Sequence, residues 1–545
     1  MNGLIRALAL AAAAWISSAA AAPSGPLVQA PAGAVRGETQ GDLNVFKGLP
    51  YALAPVGSRR WKPPAPMPAW QGVREAARFG PACHQPASNS GTIYAWKPMP
   101  MSEDCLSLNI WALAKARRAP VLVWIHGGAL STGWSGDSLY DGTALAKRGL
   151  VVVSINYRLG VLGYLAHPGL SAESPQGTSG NYGLLDQIAA LQWVKDNIAA
   201  FGGDASNVTI AGESAGALSV MYLMASPQAR GLFGKGISES AYMISTPELR
   251  QARFGSPAAE AIGAALAGKL GASDVAQLRA MDAAALTTAA AAAGYSPFGT
   301  IDGRILRRQL VEVFDRGDQA KVPVLVGFNS GEIRSLRFLA APVPADASTY
   351  ETQIRDRYAD LADAFLRLYP PTHMEESVLA TPRDAMYGWT AERLATKQTA
   401  LGVKAFLYYF DHGYPSADAA GLHGFHASEL PYVFGTADGT PPLWPKVSSV
   451  PAEQKLSAAM IEYWATFAST GVPRAAGQPS WQAYGSDHAY MDFAESPIPG
   501  THLLPGMYEF NEQVVCRRRA QGGIAWNWNV GLLSPPLPPP VQECR

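Results

Sequence analysis

Continuous apolar runs, not alternating ones, mark the first half of this chain. Pro120-Val121-Leu122-Val123-Trp124-Ile125 and Leu150-Val151-Val152-Val153-Ser154-Ile155-Asn156-Tyr157 are such runs. They predict strands of a parallel sheet buried on both faces. Leu106–Ala112 alternates like a strand, and Val28–Pro50 reads as short strands separated by glycine turns. Val208-Thr209-Ile210-Ala211, Ile237–Met243, Val322–Asn329 and Ala405–Phe410 predict further strands. Between them the apolar spacing changes to a helical period. Tyr182–Phe201 carries Leu184, Leu185, Ile188, Leu191, Val194 and Ile198 at that spacing, and Tyr350–Leu368 sets Ile354, Tyr358, Leu361 and Phe365 on one face. Glu453–Thr470 is helical, and the Ala-rich Pro257–Gly294 predicts helices packed as a layer or cap over the sheet. The alternation predicts an α/β fold, with a mostly parallel central sheet, helices on both faces and a helical cap. No internal repeat or flexible linker interrupts it. Residues 23–545 therefore read as one domain, with inserted helical cap segments at about 250–320 and 335–400. Arg517-Arg518-Arg519 is expected in a solvated last helical turn, where cations suit the dipole.

Composition narrows the setting. Of 545 residues, 48% are hydrophobic and 16% charged, enough to bury a large core. Lys+Arg and Asp+Glu both number 43, and this zero net charge argues against nucleic acid as a partner. Met1 to Ala22 has Arg6, an apolar stretch from Ala7 to Ile16 too short to span a bilayer, and a small-residue run Ser17–Ala22. It reads as a secretory signal, which predicts a secreted or periplasmic protein. Pro23 disfavours cleavage directly after Ala22, and an uncleaved anchor is the alternative reading. No later stretch predicts a transmembrane helix. Four cysteines fit an exported protein, and three pairings are open to them. Local pairing, Cys83 with Cys105 and Cys516 with Cys544, is the simplest. No C-x-x-C spacing suggests zinc, so no metal is expected.

One stretch carries the chemistry. Val208 to Ile210 runs into Gly212-Glu213-Ser214-Ala215-Gly216, after which a small-residue helix begins. A serine hydroxyl is a weak nucleophile until it is lifted out of the fold and a base takes its proton. A tight strand-turn-helix elbow lifts it, and Gly212 and Gly216 supply the small neighbours the turn needs. The base comes from Gly421-Leu422-His423-Gly424-Phe425-His426-Ala427-Ser428-Glu429, which offers His423 and His426. An acid between Ser214 and that loop is required by the order serine, acid, histidine. Glu332 stands just past a strand, and Asp302, in a turn-like Asp-Gly context, is its rival. Gly127 and Gly128, after the strand ending at Ile125, and Ala215 offer backbone N–H groups for an oxyanion. The spacing His423-x-x-His426-x-x-Glu429 also admits a metal site, but no further ligand cluster accompanies it. Asn207-Val208-Thr209 fits a glycosylation acceptor, although a buried strand start is the preferred reading.

At this point the chain resembles the type-B carboxylesterase/lipase family of the α/β-hydrolase superfamily, which includes cholinesterases and bacterial para-nitrobenzyl-type esterases. The blocks that carry the resemblance are Gly48-Leu49-Pro50-Tyr51-Ala52, Ser102-Glu103-Asp104-Cys105-Leu106-Ser107-Leu108-Asn109-Ile110, Asn156-Tyr157-Arg158 and Gly180-Asn181-Tyr182-Gly183. Phe201-Gly202-Gly203-Asp204, the elbow itself and His426-Ala427-Ser428-Glu429-Leu430-Pro431-Tyr432-Val433-Phe434-Gly435 complete the set. The resemblance implies an α/β-hydrolase fold and cofactor-free hydrolysis of a small-molecule carboxylic ester by a monomer or dimer. It selects His426, three residues before Glu429, over His423. It selects Glu332 over Asp302, although Ile333 stands where the family often has glycine. It implies the Cys83–Cys105 disulfide, and a supporting place for Ser240 near the acid. Relatives that serve as non-catalytic adhesion proteins lose the nucleophile, whereas Ser214, Glu332 and His426 are all present. A lipase is the other alternative, and no long amphipathic lid supports it. The loops 88–101 and 335–344 are expected to shape the substrate pocket, with Tyr94 and Trp96 on one wall.

Overall fold

The computed structural model describes residues 25–87, 91–96 and 99–544. The expected signal segment lies outside them. The strands are β1 (Leu27–Ala30), β2 (Gly33–Arg36), β3 (Glu38–Gln40), β4 (Leu43–Pro50), β5 (Val73–Glu75), β6 (Ser107–Leu113) and β7 (Ala119–Ile125). They continue with β8 (Val151–Ile155), β9 (Gly203–Glu213), β10 (Lys235–Glu239), β11 (Val324–Asn329), β12 (Ala405–Phe410), β13 (Ala489–Phe493) and β14 (Pro497–Thr501). β1, β2 and β5 form a small sheet of their own. The others form an eleven-stranded sheet in the order β14-β13-β12-β11-β10-β9-β7-β8-β6-β4-β3. From β8 through β13 the neighbours are parallel, and the flanking strands at both edges pair antiparallel.

The apolar runs are continuous because both faces of the sheet are covered. In β7, Val121, Val123 and Ile125 enter one core while Leu122 and Trp124 enter the other. Successive strand side chains point to opposite faces, so a doubly covered strand has no polar position to spare. The helices Tyr182–Asn197, Ala215–Ala225 and Trp389–Ala400 feed the first core, and Thr143–Lys147 and Pro451–Thr470 feed the second. Burying one such large aliphatic side chain contributes roughly 1.5–3 kcal/mol. β8 and β9 lie on opposite sides of β7. The strand order reverses there, and the crevice at the carboxyl ends of β7 and β9 is where an open α/β sheet places its ligand.

Three local expectations are revised. The strand foreseen over Ile237–Met243 spans Lys235–Glu239 instead, because Ser240 turns out of the sheet with φ +50°. The single helix foreseen over Tyr350–Leu368 is two, Ala347–Tyr358 and Ala362–Leu368, broken at Ala359 with φ +47°. Ile354, Tyr358 and Phe365 still share one buried cluster, now completed by Phe510 and Val514 of the helix Met507–Gln521. The third revision is the basic run, where Arg517 and Arg518 are buried, not solvated. Arg518 donates to the carbonyls of Trp528 and Asn529 and to Ser534 Oγ, because the C-terminal tail folds back over the helix. The Ala-rich stretch is helical as expected, in three helices, Ala259–Lys269, Val275–Ala280 and Ala283–Ala292. Their core is shared with Trp61, Leu162, Leu165 and Tyr182, apart from the two sheet cores. Disulfides join Cys83 to Cys105 and Cys516 to Cys544. Among the described residues no helix is long and apolar enough to cross a membrane.

Candidate active site

Ser214 stands at the carboxyl end of β9, at the strand reversal. Its backbone is left-handed, φ +56° and ψ −121°, between β9 and the helix that starts at Ala215. For a side chain with a Cβ such backbone costs on the order of 1–3 kcal/mol, and only surrounding structure holds it. Part of that hold is the Ser214 N–H, which donates to the Glu239 carbonyl at 2.9 Å. The two elbow glycines leave no room for a methyl group. A Cβ at Gly216 would lie 2.0 Å from the Ile125 oxygen, and one at Gly212 would lie 2.5 Å from the Gly216 carbonyl carbon.

The histidine loop reaches this serine. His426 Nε2 lies 2.9 Å from Ser214 Oγ, and its Nδ1 is bonded to Glu332 Oε2. Glu332 is fully buried at the end of β11, where its other oxygen accepts the Asn329 N–H at 2.9 Å. The acid and histidine loops are stitched together beneath the ring. The Gly331 N–H donates to the Gly424 carbonyl at 2.7 Å, and Asn329 Nδ2 donates to the Phe425 carbonyl at 2.8 Å. The rival residues go elsewhere. Asp302 Oδ1 accepts the N–H groups of Arg304, Ile305 and Leu306, as a turn residue does. The His423 ring lies between Asp411 and Asp418, 3.0 and 2.8 Å away, and those carboxylates push it up to about 9. Glu429 accepts from Asn329, so the His-x-x-His-x-x-Glu spacing does not gather its members on one point.

The glycine pair lies against the elbow. A Cβ on Gly127 would stand 3.2 Å from Ser214 Cβ and 2.9 Å from the Glu213 oxygen. Gly128 has φ +98°, and its carbonyl accepts the N–H groups of Ser131 and Thr132. The N–H groups of Gly127, Gly128 and Ala215 donate to no backbone or side-chain oxygen among the described residues. His126 braces the loop. Its ring stacks on Tyr157 at 4.6 Å, its Nδ1 lies 2.9 Å from the Gly127 oxygen, and its carbonyl accepts the Tyr157 hydroxyl at 2.8 Å. Burial lowers this imidazole to about 4, so it stays neutral.

Sequence reasoning missed the carboxylates around this site. Glu213, inside the elbow motif, is buried with Oε1 3.1 Å from His426 Nε2. Burial raises the Glu213 carboxyl, His426 counters that, and Glu332 adds to it. Burial lowers His426, but Glu213 and Glu332 outweigh it and push the imidazole up to about 9. Glu239 and Glu429 are also buried and raised, mainly by desolvation, and Trp464 Nε1 donates to Glu239 at 2.7 Å. In the sequence Glu213 stands inside the elbow motif and Glu429 marks the register of the histidine block, but neither position, nor that of Glu239, shows that the three carboxylates are buried near one another. Ser240, foreseen as a support for the acid, has a buried hydroxyl with no hydrogen-bond partner among the described residues.

The carboxylesterase family model matches residues 24–504. The chain belongs to the carboxylesterase family. It is 36% identical over 489 residues to a fumonisin B1 esterase of Sphingopyxis macrogoltabida, covering 86% of this chain and 87% of that protein. It is 33% identical over 463 residues to a para-nitrobenzyl esterase of Bacillus subtilis (strain 168), covering 83% and 91%. Among solved structures, a PNB esterase at 31% identity superposes with a TM-score of 0.76 over 89% of this chain and 99% of that one. A Geobacillus stearothermophilus carboxylesterase, EST55, gives 0.71 at 34% identity over 89% and 99%. This carboxylesterase therefore has the α/β-hydrolase fold, and its chemistry is carboxylic ester hydrolysis.

Proposed function

We propose that this carboxylesterase cleaves small esters through an acyl-enzyme formed on Ser214. The observation that carries the reading is His426 set between Ser214 Oγ at 2.9 Å and Glu332. In the proposed cycle Nε2 takes the hydroxyl proton as Oγ attacks the ester carbonyl carbon. Glu332 fixes the tautomer and balances the imidazolium. The N–H groups of Gly127, Gly128 and Ala215 receive the oxyanion, each donor being worth roughly 3 kcal/mol of barrier. The alcohol leaves with the proton from Nε2. Water, deprotonated in turn by His426, then attacks the acyl carbon, the bond to Ser214 Oγ breaks, Nε2 returns the proton to Oγ, and the acid is freed. The reading needs no cofactor.

We also propose export to an oxidising compartment, secreted or periplasmic, in keeping with the two disulfides and the N-terminal pattern. The helices between Ala259 and Ala292 are proposed as part of a cap on a single catalytic unit. The test is hydrolysis of a para-nitrophenyl acyl series by the wild type and by Ser214→Ala. The variant is expected to lose at least about 10⁴-fold in kcat while keeping its fold. A folded Ser214→Ala protein that still turns over would overturn the assignment.

A further inference from the structure

We propose that Tyr94, from the loop closed by Cys83–Cys105, is a positioning residue that holds His426 and Glu332 in register through its phenol. The inference rests on the Ser214–His426–Glu332 reading above. Tyr94 Oη lies 2.8 Å from the carbonyl oxygen of His426 and 2.7 Å from Ser335 Oγ. A phenol has one proton, and a carbonyl oxygen has none to give. The phenol therefore donates to the His426 carbonyl, and the Ser335 hydroxyl donates to the phenol oxygen. Ser335 follows directly on the short helix Glu332–Arg334. One side chain from a third segment thus joins the acid loop to the histidine loop.

The histidine loop needs an outside hold. Two residues of its loop, His423 three positions before His426 and Ala427 directly after it, have left-handed backbones with φ +51° and +68°. Neither is a glycine, so each costs conformational energy. Beneath the ring, Gly331, Gly424, Asn329 and Phe425 stitch the two loops together. On the other side the His426 carbonyl has only the Tyr94 phenol as its hydrogen-bond partner among the described residues. The phenol is itself fixed, because its ring meets Trp444 edge-on at 5.7 Å. Burial and the charges of Glu213, Glu332 and Glu429 raise its ionisation well above the usual range, so it remains a donor at any working pH. The other groups facing the His426 ring are the carboxylates Glu213 and Glu332 and the Tyr387 ring, 5.4 Å away.

The test is Tyr94→Phe, which keeps the ring against Trp444 and deletes both hydrogen bonds of the phenol. Steady-state kinetics on a soluble para-nitrophenyl ester are expected to show kcat lowered about tenfold with KM within about twofold. The acid limb of the pH profile should move to lower pH, because an imidazole that drifts from Glu332 loses part of what raises it. Ser335→Ala should lower kcat less, and the double variant should be no worse than Tyr94→Phe alone, since Ser335 reaches the histidine loop only through the phenol that Tyr94→Phe already removes. Wild-type kcat and pH profile in Tyr94→Phe would overturn the proposal. So would a raised KM at unchanged kcat, which would leave Tyr94 as a pocket wall only. Survival of activity in Ser214→Ala would instead sink the underlying triad reading, so the two failures are distinguishable.

Discussion

At the scale of single residues, two carboxylates bear on one imidazole. Glu332 holds Nδ1, and Glu213 lies 3.1 Å from the same Nε2 that faces Ser214. In the proposed cycle His426 must be neutral to take a proton, and although burial lowers it, the charges of Glu213 and Glu332 push it up from 6.5 to about 9. A raised pKa keeps the imidazole protonated to higher pH. The acid limb of kcat/KM is therefore expected above an ordinary histidine's titration, with activity rising as pH rises through it. Glu213→Gln removes one of the two raising charges, so in a pH–rate series that limb should move down. A limb that stays in place would show that Glu213 does not act on His426. Glu332→Gln is expected to cut kcat by about 10³- to 10⁴-fold, since the amide does not hold the same tautomer. Much of this juxtaposition was legible beforehand. Ser214 could be read because its elbow is local, and His426 and Glu332 followed once family blocks set the register. The role of Glu213 was not legible, because adjacency in sequence says nothing of which ring a carboxylate meets across the fold.

At the scale of elements, the elbow is a packing problem more than a chemical one. β9 can pass straight into its helix only because Gly212 and Gly216 let two backbones touch. Gly216→Ala would set a methyl 2.0 Å from the Ile125 oxygen. It should destabilise the fold by about 3 kcal/mol or more, read as a lower midpoint in urea unfolding. The strands were the easiest elements to foresee, since double-sided burial leaves an unbroken apolar run. Their ends were harder, because a strand stops where its partners stop. β10 ends at Glu239 because Ser240 turns away from the extended backbone with φ +50°. The break at Ala359 was hidden as well, since helical spacing of apolar residues continues across it and only the backbone of that one residue, φ +47° and ψ −116°, departs from the helix.

At the scale of the whole molecule, the C-terminal tail acts as a clasp. Arg518 is fully buried and donates to two tail carbonyls and a serine, while Cys516 bonds to Cys544 at the tail's end. Arginine in a basic run usually faces water, and no sequence pattern shows which carbonyls will return to meet it. Arg518→Met should leave those acceptors unpaired and cost about 2–4 kcal/mol, seen as a lower thermal midpoint. Reducing or replacing the Cys516–Cys544 bond is expected to cost a similar amount, with hydrolytic activity kept at low temperature. These losses concern stability, whereas the proposed cycle turns on one hydroxyl. Covalent trapping reads that hydroxyl most directly, with the folded enzyme treated with an organophosphate ester and then digested for peptide mass spectrometry. One adduct per chain on the peptide carrying Ser214, rising in step with loss of activity, is the predicted result. An adduct on another residue, or full activity with Ser214 fully modified, would contradict it.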